Sequence, residues 1–142
     1  IYEIDPAGAV TQYFYDGAGR LTDEVRYADM VSIAASVDQV LDGSFTITPS
    51  AFDRHTRHFY DADGLRIGTL DAEGYLLEFQ YDAAGRLIHQ IGYANRTQSS
   101  HWSTGTLDQL RASAGLDEET VLDPERDVHS YFFHDGQGRV RW

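Results

Sequence analysis

The stretch YDGAGRLTDEVRYAD (residues 15–29) returns almost unchanged as YDAAGRLIHQIGYAN (residues 81–95). A catalytic constellation needs its residues once, whereas a scaffold reuses them. The first question is therefore what physical unit the phrase encodes.

At its centre stands a D-x-x-G box. The box occurs as DPAG (5–8), DGAG (16–19), DADG (61–64), DAEG (71–74), DAAG (82–85) and DGQG (135–138). Asp at the first position of a tight turn accepts hydrogen bonds from backbone amides just ahead of it. Gly at the fourth position adopts positive φ without steric cost. Boxes spaced 10 or 11 residues apart (Asp5 to Asp16, Asp61 to Asp71 to Asp82) leave room for strands of six or seven residues. That is the length of a β-hairpin meander.

The intervening segments alternate. In YLLEFQYD, residues 75–82, the ring and leucine positions Tyr75, Leu77, Phe79 and Tyr81 share one face, while Glu78, Gln80 and Asp82 share the other. Leu87, Ile91 and Tyr93 line a face in the following strand, as Leu21, Val25 and Tyr27 do earlier. Period-2 alternation predicts an antiparallel sheet with the apolar face buried and the Glu78 face wet. The residue before each box is expected opposite the residue after it, so that Tyr15 meets Arg20, Tyr81 meets Arg86 and His134 meets Arg139. Such ring–guanidinium contacts contribute about 0.5–1 kcal/mol at exposed sites.

A longer period overlies the hairpins: Asp16 and Asp82 are 66 residues apart, Asp61 and Asp135 are 74 apart. Between the clusters lie two segments without boxes, which match at SVDQV (36–40) and TLDQL (106–110). Ser36/Gln39 and Thr106/Gln109 read as capping boxes opening short helices, with Gly43 and Gly115 as terminators. The second insert is eight residues longer, as expected of a surface decoration tolerant of length change. The predicted architecture is mainly β: an antiparallel β-hairpin repeat array over residues 1–142. Hairpin clusters fall near 1–28, 53–94 and 127–142, and helix-containing inserts near 29–52 and 95–126. The pattern begins and ends mid-unit, so the chain is expected to be one segment of a longer array. Its open edges would then be paired by neighbouring repeats or by self-association.

Composition narrows the functional classes. A chain of 142 residues buries ~70% of the surface its unfolded form exposes. The net charge of −12 disfavours binding to phosphate backbones, so no nucleic-acid partner is expected. All 11 basic residues are Arg, which reads as genome composition or as adaptation to salt. Without cysteine there is no disulfide, thiolate metal site or thiol chemistry. No apolar run reaches the roughly 20 residues of a membrane-spanning helix, and no signal peptide is visible.

YDGAGRL, YDADG and YDAAGRL resemble the YD repeats of Rhs (rearrangement hot spot) proteins, as does the longer phrase TRHFYDADG…LDAEG…FQYDAAGRL. The resemblance covers the boxes closely and the inserts less closely. It implies a β-ribbon that spirals into a hollow shell or barrel, as in bacterial toxin-complex components, polymorphic toxins and the teneurins. In the toxin members the shell encloses an effector. The family's shell-closing segment, with repeated DPxG signatures and autoproteolytic aspartates, is not recognisable, and DPAG at residues 5–8 is a turn box.

Other chemistry is weakly supported. His55 and His58 sit three apart on a predicted strand and point to opposite faces. His55 and His129 occupy matching positions of two return strands, which repetition explains without ligation. Asp61-x-Asp63-Gly64 lacks the spacing of an EF-hand loop. No GxSxG, P-loop or HExxH is present. Asn95-Arg96-Thr97 fits a glycosylation sequon. Trp102 and Trp142 fill gaps in the core or insert, or else stack on sugars. The expectation is accordingly a non-catalytic structural segment of a secreted or surface-exposed bacterial protein, with no catalytic, cofactor or metal residues. The expected partners are an encapsulated effector domain and, for a cell-surface adhesion module as the alternative, a glycan.

Overall fold

In the computed structural model, residues 1–113 and 125–141 are described. Close contacts divide the chain into two compact units, Ile1–Arg57 and His58–Trp142. The first contains strands β1 (Tyr2–Ile4), β2 (Val10–Tyr15) and β3 (Leu21–Arg26), then helix α1 (Ile33–Asp42) and the start of β4 (Arg54–Tyr60). The second continues with β5 (Arg66–Leu70), β6 (Leu76–Tyr81) and β7 (Leu87–Gly92). A 3-10 turn (Ser99–His101) and helix α2 (Leu107–Ser113) follow, then β8 (Val128–Tyr131), β9 (Phe133–His134) and β10 (Val140–Arg141). Neighbouring strands follow chain order from β1 to β8, and β9 pairs with β10. The protein is thus mainly antiparallel β, built from hairpins, with short helices in the inserts.

The boxes are the turns of these hairpins, and all six share one geometry. The Gly amide donates to the Asp carbonyl, and the Asp amide donates to the carbonyl of the residue after Gly, at 2.9–3.1 Å. Each of the six glycines has φ between 73° and 92°. In DAAG, Asp82 Oδ1 accepts from the Ala84 and Arg86 amides at 2.9 and 3.0 Å. Asp16 and Asp135 accept in the same way from Ala18 and Arg20, and from Gln137 and Arg139. One carboxylate oxygen thus satisfies two turn amides.

This geometry corrects the expected register. The positive-φ glycine is a G1-type bulge, so the residue before the box faces the residue two past Gly. Tyr15 pairs with Leu21, Tyr81 with Leu87 and His134 with Val140. The arginine after Gly folds back onto the box: Nε of Arg20, Arg86 and Arg139 donates to Oδ2 of Asp16, Asp82 and Asp135 at 2.7–2.8 Å. Arg in Y-D-x-x-G-R therefore closes the turn from the side-chain end.

The buried face is also the reverse of the one expected for β6. Leu76 and Glu78 are 1% and 5% exposed, while Leu77 and Phe79 are only half-buried. Glu78 pairs with Ile91 across the β6–β7 ladder, so it shares the face of Ile91 and Tyr93. That face is covered by the second insert. Leu70, Leu76, Ile91, Tyr93 and Leu110 form the core, with Phe59, Trp102 and Leu107 packed against it. Far from decorating the surface, α2 roofs this core, and Leu110 is fully buried.

Two glycines make the close approach possible. A Cβ on Gly68 would lie 2.8 Å from Leu107 Cδ1, and one on Gly74 would overlap the Trp102 indole. Thr106 and Gln109 form the anticipated capping box, with reciprocal bonds of 2.8 and 3.3 Å. In the first unit the helix starts earlier than expected: Ser32 is its N-cap and Ser36 lies inside it. Gly43 ends it at φ 77°. Gly115 lies outside the described residues.

Candidate functional site

Two side-chain clusters stand on the core-bearing face of the second unit. The first is the junction between sheet and insert. Arg111 of α2 reaches Glu78 of β6 with Nε to Oε1 at 2.7 Å and a second nitrogen to Oε2 at 3.0 Å. The Tyr93 hydroxyl donates to the same Oε1 at 3.1 Å. Charge-assisted bonds to both oxygens compensate the burial of Glu78. Burial, then the charge and hydrogen bond of Glu78, push the Tyr93 phenol up to about 12. The Glu78 bonds hold the Arg111 guanidinium further above its usual range. The first unit repeats the inner half of this arrangement in neutral form, with the Tyr27 hydroxyl bonded to Gln12 Oε1 at 2.5 Å.

The second cluster lies farther along the same face, at the β7–β8 pair. His89 Nε2 is 3.1 Å from His129 Nδ1, and His89 Nδ1 is 3.0 Å from Gln80 Oε1. The Tyr131 ring lies parallel to His89, with 4.3 Å between centroids. At the equivalent place in the first unit His55 meets Asp23 at 2.9 Å, and Arg57 approaches the same Asp23 oxygen at 3.5 Å. The His55 bond is the main cause that draws the Asp23 carboxyl below its usual range. Sequence reading aligned His55 with His129 but did not single out His89. Its signal was there, since His89 stands 66 residues after Asp23 in the repeated phrase.

His58 Nδ1 lies 3.2 Å from Thr69 Oγ1. Asp61 accepts the Leu65 amide at 2.8 Å, as a turn residue does. Thr97 of the sequon is buried, with its hydroxyl donating to the Gly74 carbonyl at 2.8 Å and accepting from Trp102 Nε1 at 2.9 Å. Trp102 packs against the core beneath the Arg96 guanidinium, 5.2 Å from the ring centroid. Trp142 lies outside the described residues. Among the described residues no three His, Asp or Glu side chains converge as a metal-binding group, and no helix is long and apolar enough to cross a membrane.

Repeated hairpins closed by one five-residue turn, with inserts returning the chain to the sheet, define a structural β-repeat protein. The RHS Repeat family model matches residues 3–29 and 60–98, which are the two hairpin clusters carrying five of the boxes. These matches support the Rhs/YD-repeat family over the two segments. No curated protein matches it.

Proposed function

We propose that this chain is wall material: a non-catalytic segment of a YD-repeat β-shell or stalk within a large exported bacterial protein, where it encloses or displays another domain. The observation that carries this reading is the reuse of one bonding scheme throughout the chain. Box aspartates and glycines are spent on turns, box arginines on closing those turns, and the Glu78–Arg111 pair on fastening an insert. The family match agrees, because RHS repeats are structural repeats. Edges of the hairpin ladder engage the neighbouring repeats of the parent chain, with no need of nucleic acid or membrane insertion.

The test uses the parent protein. Limited proteolysis should leave an enclosed domain intact in the whole protein, and cleave it once the wall is opened by denaturant or by deletion of a repeat. Electron microscopy should show a closed or spiralling β-wall. A neighbouring domain that is cut equally fast in the intact parent, with no lumen in the images, overturns containment and leaves display.

A further inference from the structure

We propose that His89 and His129 form a two-imidazole site for a divalent late first-row transition metal ion. The two nitrogens that face each other, Nε2 of His89 and Nδ1 of His129, are 3.1 Å apart. Two ligands at the roughly 2.0–2.1 Å of a metal–imidazole bond, separated by that distance, subtend about 100° at a shared ion, between octahedral and tetrahedral demands. The pair is built across two strands: Ile91 faces His129 and His89 faces Tyr131 in the β7–β8 register. The imidazoles are therefore diagonal neighbours on one sheet face, and their spacing is set by backbone pairing.

Supporting groups favour the metal-ready form. With the Gln80 carboxamide oxygen as acceptor, His89 keeps its proton on Nδ1 and presents a bare Nε2. A carboxamide in that position orients the ligand as outer-shell partners of metal-bound histidines do. The parallel Tyr131 ring restrains His89 further. On binding, the proton that His129 holds on Nδ1 moves to its own Nε2, a change of tautomer without change of charge. Both rings reach solvent, so water completes the coordination.

The first unit acts as an internal contrast. There the same place carries Asp23 for His89 and Arg57 for Tyr131, an ion pair whose resident guanidinium repels a cation. In the second unit the acid is replaced by a second nitrogen donor and the arginine by a neutral ring. The ion would tie β8 to β7 and raise the stability of the folded chain by mass action.

The experiment uses the 142-residue chain without an affinity tag, in chelator-stripped buffer near neutral pH. Zn²⁺, Ni²⁺ and Cu²⁺ should each raise the unfolding temperature saturably and reversibly with a chelator, with Cu²⁺ binding most tightly. One equivalent of Cu²⁺ should give an electron paramagnetic resonance spectrum with hyperfine structure from two nitrogens. His89→Gln and His129→Gln should each weaken Cu²⁺ binding by roughly tenfold or more. Both variants should match the parent in circular dichroism, while His101→Gln keeps full binding. An equal response to Ca²⁺, retention of binding in either folded variant, or a one-nitrogen spectrum overturns the site.

Discussion

Arg111 on helix α2 and Glu78 on strand β6 lie 33 residues apart in the chain and 2.7 Å apart in space. This contact fastens the second insert over the core. Arg111 is partly exposed, but Glu78 is not, so the two partners are unequal. Losing the arginine strands a buried carboxylate, whereas losing both groups strands nothing.

Arg111→Leu is accordingly expected to destabilise the second unit by roughly 1–3 kcal/mol in urea unfolding. The double variant Glu78→Leu/Arg111→Leu should recover most of that loss. A double variant as unstable as the sum of the two single variants would mean that Glu78 and Arg111 act independently and that no stranded charge carries the loss.

Gly74 and Gly85 supply a matched comparison, with φ 89° and 73° in the same kind of turn. Gly85→Ala should cost about 1 kcal/mol, the usual penalty for left-handed backbone. Gly74→Ala adds overlap with the Trp102 indole, so about 3 kcal/mol is expected. Equal midpoints for the two variants in thermal unfolding would show that Trp102 moves aside freely.

The turn carboxylates make stability depend on acid. Hydrogen bonds from the Arg86 side chain and amide lower the Asp82 carboxyl from 3.8 to about 2. Asp16 and Asp135 are lowered by the equivalent arginines. A group depressed in the folded state contributes stability that is present above its unfolded value and disappears as pH falls through the folded one. The unfolding midpoint should therefore drop between pH 4 and 2. Asp82→Asn should start lower at neutral pH and vary less over that interval.

Tyr93 gives the opposite dependence. Its phenol rises from 10.0 to about 12 on folding, so its contribution is complete below pH 10 and lost as pH climbs through 12. Tyr93→Phe should flatten the alkaline limb of the stability profile. Absorbance titration near 295 nm should lose one late-titrating phenol. If the alkaline limb is unchanged in this variant, the loss of stability has another source.

The six turns were legible because each is a local problem. Asp and Gly three residues apart solve it with their own backbone and one carboxylate, and nothing distant is consulted. The same locality made Thr106 and Gln109 readable as a cap. Register proved harder, because the bulge at glycine shifts the pairing by one residue, and that shift turned Arg86 from a partner of Tyr81 into a brace for Asp82.

The amino-acid sequence by itself determined the hairpins, their spacing, the repeat and hence the likeness to RHS repeats. The tertiary structure alone decided which side of the sheet is inside. Glu78 reads as a wet-face residue on any strand pattern, since an isolated carboxylate does not stay buried. It is buried because α2, far along the chain, delivers Arg111 and Leu110 to that face and compensates the charge as it excludes water. The meeting of His89 with His129 has the same origin: two strands separated by an insert become neighbours only when the insert folds back and backbone pairing sets their register.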